Sequence, residues 1–239
     1  MISIWHGAKN HNLKERRFVM KQDFPQHIRP LYDLLNREVI ELNMHWDIFK
    51  QLYTGRSLLI DLLNESAPVF FGKLQTILLD DIILAISRLS DPAKSGNNEN
   101  LSLKKMKEGL DAKGYDDLKE KLARRIIEID SKCESFRRHR NKRVAHRDLT
   151  AKVRPLEENL PDIKVGDIEA AILNINGFLN DVEANYNDLS SCVYDHVITP
   201  YLGFVDGLIH KLKMAAALDF LVDPHDQWEI IEKTKFKDL

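Results

Sequence analysis

The chain has 239 residues, 44% of them hydrophobic and 30% charged, which supports a packed core beneath a well-solvated surface. With 35 Lys and Arg against 37 Asp and Glu, the formal net charge is −2; this excludes a general DNA coat and confines any nucleic-acid contact to a local patch. Only Cys133 and Cys192 are present, too few for a disulfide scaffold and suited to a reducing cytosol. The first ten residues hold no apolar signal core and no apolar run reaches membrane-spanning length. A cytoplasmic protein without membrane contact is expected.

Residues 1–26 are mixed and polar and read as an irregular N-terminal arm. From Arg29 to Tyr53, Leu31, Leu34, Leu35, Val39, Leu42, Trp46, Phe49 and Leu52 keep helical spacing, the mark of an amphipathic helix with one buried stripe. Thr54-Gly55 stops it, and a short helix follows from Leu58 to Leu63. Ser66 suits an N-cap and Pro68 a first turn. The helix they open runs to about Ser90 and is apolar over most of its circumference, which predicts a central position. Asp91-Pro92 through Asn100 is a polar loop, and Ser102 caps a short helix ending before Gly114. A long helix with Leu118, Leu122, Ile126, Ile129 and Cys133 at its core positions runs from Tyr115 to about Asp148. Pro155 and Pro161 interrupt a connection. Asp167 then opens a helix bearing Ile168, Ile172, Ile175, Leu179, Val182 and Tyr186. A last helix starts at about Val197 or Pro200 and ends at Leu221. No segment alternates with period two. The expected architecture is all-α: one bundle of five or more helices over residues 27–222, no sheet, and a polar tail over 223–239.

The densest chemistry lies at the end of the long helix, in Arg137-Arg138-His139-Arg140-Asn141-Lys142-Arg143-Val144-Ala145-His146-Arg147-Asp148. Like charges this close repel one another, a repulsion that an anion seated among them relieves. The two imidazoles can move protons near neutral pH. The plainer account is a solvated helix end, since cations near a helix C-terminus are favoured by its dipole.

Within this run, Arg140, Asn141 and, after a short spacer, His146 resemble the motif of HEPN-domain proteins. The segments "LYDLLNREVIELNMHWDIFKQLY", "LLNESAPVFF" and "DDIILAISRLSDP" resemble the abortive-infection branch of that family, with the likeness covering about Leu31 to Asp148. The resemblance implies a helical bundle, a homodimer whose two motifs meet near the two-fold axis, and a metal-independent RNase of a bacterial defence or toxin system. Cofactors are not implied. A cognate antitoxin is a further implied partner, and a non-catalytic HEPN module binding RNA or a partner protein is the alternative.

RNA carries its own nucleophile, the 2′-hydroxyl, so cleavage needs a base, a cation for the charged phosphorane and an acid for the leaving oxygen. His146 is the candidate base, kept neutral by the arginines around it. Arg140 is the candidate clamp on the phosphate, because guanidinium matches it in a bidentate fork. Asn141 would orient His146 or the phosphate. Arg137, Arg138, Lys142, Arg143 and Arg147 are candidates to hold RNA phosphates, or else a salt-bridged surface; His139 is an RNA contact or a bystander. In a regular helix, residues six apart lie about 120° apart around the axis. Arg140 and His146 therefore do not share a face unless the helix is distorted there or the site is shared across a dimer, whereas His139, Arg143 and His146 do. Asp80 and Asp81 stand in the most apolar helix and need partners. Asp81 shares a face with Arg88, a plain structural pair; the alternative is that both carboxylates orient the basic motif. Asp148 is expected to pair with a neighbouring arginine. No spacing among histidines and cysteines suggests a metal site.

Overall fold

The structure, a computed structural model, describes residues 24–55, 57–110, 116–145, 162–186, 205–223 and 226–227. They form helices α1 (Arg29–Tyr53), α2 (Ser57–Ser66), α3 (Pro68–Leu89), α4 (Leu103–Gly109), α5 (Asp116–His139), α6 (Val165–Tyr186) and α7 (Val205–Leu221). A 3-10 turn (Gln26–Ile28) leads into α1, and a π-helical turn (Arg140–Ala145) follows α5. Among the described residues the single departure from the all-α pattern lies in the polar loop after α3. There β1 (Lys94–Ser95) and β2 (Asn98–Glu99) pair antiparallel, with Lys94 opposite Glu99 and Ser95 opposite Asn98. Gly96 closes this hairpin with φ +60°, the left-handed conformation that glycine adopts without penalty.

Helix α1 forms where its apolar stripe requires. Leu35, Val39, Leu42, Trp46, Phe49 and Leu52 are all buried, while Leu34 lies at the edge, 49% exposed. The helix ends as expected: Thr54 Oγ1 donates to the Lys50 carbonyl, and Gly55 follows at φ +81°. Two expectations for α3 change. Ser66 is the last residue of α2, its hydroxyl donating back to the Leu62 carbonyl, so Ala67 holds the N-cap position without a side-chain bond. Only the C-terminal half of α3 is central. Ile82, Ile83, Ala85, Ile86 and Leu89 are buried, but Val69, Phe70 and Ile77 in the first half are exposed. The α4 cap is as expected, with Ser102 Oγ accepting from the Lys105 amide.

The main core joins α1, α3, α5 and α6. Leu118, Leu122, Ile129 and Cys133 of α5 are buried there, with Phe136 beside the motif, and so are Ile168, Ile172, Ile175, Leu179, Val182 and Tyr186 of α6. Helix α6 begins at Val165, and Asp167 caps its start by accepting from the Lys164 amide. Phe24, inside the span read as an irregular arm, packs edge-on against Tyr32 and Tyr186 at 5.2 and 4.7 Å between ring centres. A reciprocal amide pair, Asn43 and Asn176 at 2.9 Å in both directions, satisfies the polar groups that α1 and α6 bury. A smaller cluster gathers α2, α7 and the first half of α3 around Leu59, Leu63, Phe71, Val205 and Ile209. No helix among the described residues is long and apolar enough to cross a membrane.

Candidate active site at the meeting of two helix ends

The C-termini of α3 and α5 meet. Both helices therefore direct the negative ends of their dipoles at one place, where cations are stabilised. This explains why a chain of near-zero net charge gathers Arg137, Arg138 and His139 in the last turn of α5.

The arginines of the motif have separate tasks. Arg137 faces inward. Its Nη1 donates to the carbonyl and hydroxyl oxygens of Ser90, at 3.3 and 3.0 Å, and lies 3.4 Å from Asp130 Oδ1; its Nη2 donates to the Asp130 carbonyl at 3.2 Å. It thus satisfies the carbonyl of buried Ser90, the residue that caps α3. Three residues on, Arg140 Nη1 donates to Asp91 Oδ2 at 2.6 Å, both side chains being less than one-fifth exposed. Arg140 Nε donates to Asn141 Oδ1 at 3.1 Å. The pair Arg137 and Arg140 therefore reads the successive residues Ser90 and Asp91. Arg138 and Asn141 are exposed, Lys142 is half-buried and His139 is buried at 8% exposure.

Arg140 is also where regular helix stops. From Arg140 to Ala145 the backbone is π-helical, with i→i+5 hydrogen bonds in place of i→i+4. The regular helix is thus distorted at the motif, but a π turn by itself does not bring positions six apart onto one face, and His146 lies outside the described residues. Such single turns recur at functional sites. The side chains of Arg143, Val144 and Ala145, and all of His146, Arg147 and Asp148, lie outside the described residues.

Asp80 and Asp81 are half-buried on α3. The Asp81 carboxylate is taken by His45 Nδ1 of α1, at 2.7 Å, and Arg88 pairs with Glu38 at 2.8 Å instead of with Asp81. The expected Asp81–Arg88 pair is therefore absent, because α1 lies closer to each side chain than they lie to one another. The carboxylates that reach the motif are Asp91, at Arg140, and Asp130, at Arg137. Ser90, Asp91 and Asp130 are the residues that sequence reasoning missed at this site. The available signal was the Ser-Asp-Pro at the end of α3, read only as the start of a loop.

Beneath Ser90 lies Cys133. Burial pushes its thiol up to about 11, although Arg137 and a hydrogen bond with Ser90 oppose the shift. A thiol held neutral in this way is a core residue, not a nucleophile. Among the described residues, no group of three or more His, Cys, Asp or Glu side chains is placed to hold a metal ion.

A family model described as AbiU2, of the HEPN group, matches residues 25–203. No curated protein and no solved structure matches the chain. The matched span runs from the start of α1 through α6 and includes the π turn with both partners of Arg140. The chain belongs to the AbiU2 family of HEPN-domain proteins.

Proposed function

We propose that this protein is a metal-independent endoribonuclease acting in abortive infection or as the toxin of a defence pair. The observation that carries the reading is Arg140 itself. Its guanidinium is held in an ion pair at the end of a helix, where a π turn leads on toward His146. A pinned cation with a titratable base six positions further along the sequence suits transesterification of RNA. In that reaction His146 takes the proton of the 2′-hydroxyl and the 2′-oxygen attacks phosphorus. Arg140 stabilises the phosphorane, and the 5′-oxygen leaves with a proton. The products are a 2′,3′-cyclic phosphate and a 5′-hydroxyl. Asn141 touches Arg140 directly and in this reading would contact the same phosphate. Exposed Arg138, with Lys142, Arg143 and Arg147, would hold flanking phosphates. The active form in this reading is a homodimer with the motif near its two-fold axis, and a cognate antitoxin restrains it.

A second reading, a non-catalytic module that binds RNA or a partner protein, is favoured by the occupation of Arg137 and Arg140 by acceptors of the protein itself. Incubating total and transfer RNA with wild type, Arg140→Ala and His146→Ala in excess EDTA separates the two. Cleavage by wild type alone, leaving cyclic-phosphate ends, is expected. Intact RNA that is nonetheless bound, with affinity falling as salt rises, would establish the second reading.

A further inference from the structure

We infer that Asp91 is the positioning residue for the phosphate clamp: it fixes Arg140 by Nη1 and leaves the Nε–Nη2 edge of the guanidinium as the face that meets an RNA phosphate. The inference rests on the reading of Arg140 as that clamp and adds to it the residue that aims it.

A guanidinium can engage a phosphate bidentately through its two Nη groups or through Nε and one Nη. Here Nη1 is committed to Asp91 at 2.6 Å, and both partners are more than four-fifths buried. Nε rests on Asn141 Oδ1, a longer bond of 3.1 Å to an exposed neighbour. Nη2 of Arg140 has no partner among the described residues. The two contacts differ in strength in a way that sets the order of replacement. A buried ion pair between two charged partners is held, while the longer bond that Nε donates to an exposed, uncharged amide oxygen yields readily to an anion. A phosphate arriving at the site would thus displace Asn141 from Nε, take Nε and Nη2 together, and leave Asp91 in place. Asp91 is itself held, since it lies directly after the α3 cap that Arg137 grips, and its amide donates to the Arg88 carbonyl. An aiming residue on a rigid element keeps a clamp in register with a scissile bond.

The test is a double-mutant cycle of Asp91→Asn and Arg140→Ala, read by cleavage kinetics and by the affinity for a labelled single-stranded RNA, with thermal unfolding of every variant. Asp91→Asn keeps the size of the side chain and removes its charge. It is expected to lower both RNA affinity and kcat about tenfold or more, and to add nothing once Arg140 is Ala. Asp91→Glu, which restores the carboxylate, is expected to recover part of the loss. Wild-type affinity and turnover in Asp91→Asn would overturn the inference. So would single effects that multiply in the double variant, since a residue that only supports the fold would act without Arg140. If wild type binds RNA but does not cleave it, the RNase reading fails while the coupling is still read in affinity. If it neither binds nor cleaves RNA, both fall.

Discussion

Arg137 stands in the most basic segment of the chain, yet its surroundings make it a strut. Replacing it with Ala removes a guanidinium that donates to both oxygens of Ser90 and to the Asp130 carbonyl, and that pairs with the Asp130 carboxylate. Ser90 is 1% exposed, so its carbonyl loses a donor in a buried setting. Hydrogen bonds to a charged group contribute about 1.5–3 kcal/mol each, and a stranded buried acceptor costs about 1–3 kcal/mol. The 3.0–3.4 Å lengths and the partial exposure of Asp130 place the total near the bottom of those ranges, about 2–3 kcal/mol for the side chain as a whole. For a chain of this size that is a fall in midpoint of roughly 4–12 °C. Denaturant unfolding followed by circular dichroism measures the free energy directly, with Arg138→Ala as the neighbouring control. Arg138 is exposed, and its loss is expected to leave the midpoint in place while weakening RNA binding and reducing the salt slope by about one. Wild-type stability in Arg137→Ala together with a loss of RNA affinity as large as that of Arg138→Ala would refute the assignment of Arg137 to the fold.

Two other predictions follow from the same kind of accounting. Folding raises the Cys133 thiol from its ordinary 9.0 to about 11, so between those values the unfolded chain binds fewer protons than the folded one and stability falls as pH rises. The loss reaches about 2–3 kcal/mol at the top of the window, and Cys133→Ala should flatten that part of the stability-against-pH curve; an unchanged slope would show that Cys133 does not set it. Gly177→Ala on α6 sets helix propensity, a gain of about 0.5–1 kcal/mol, against a Cβ that would stand 2.9 Å from Arg125 Cζ. Making room draws Arg125 from Asp181, to which its Nε donates at 3.0 Å, with Lys121 left as the remaining partner at 2.8 Å. A net destabilisation of about 1–2 kcal/mol is expected, and a gain in stability by calorimetry would mean that Arg125 has another resting place of equal energy.

The helices were legible from sequence because burying one face of a helix imprints its period on the apolar residues. Leu35 through Leu52 in α1 and Ile168 through Tyr186 in α6 each carry it. The basic run, its Arg-Asn pair and the family likeness were likewise local, and so was the misfit of a six-residue spacing with a regular turn. What periodicity misjudged was the first half of α3. Val69, Phe70 and Ile77 follow an apolar pattern but face outward, because a pattern records that a residue is apolar and not whether another helix arrives to cover it.

The site itself depended on contacts that sequence distance conceals. Asp80 and Asp81 drew attention because they interrupt an apolar helix, yet Asp81 is taken by His45 across the α1–α3 interface. Asp91, in a loop rich in polar residues, is the carboxylate that meets Arg140, 49 positions away. Local physics determined the helices, their polar stops and the gathering of cations at one helix end. The tertiary structure decided that Arg137 is spent on the fold and which carboxylate meets Arg140. Such pairing depends on where two helix ends come together, and that is set by packing along their whole length, not by the residues at the tips.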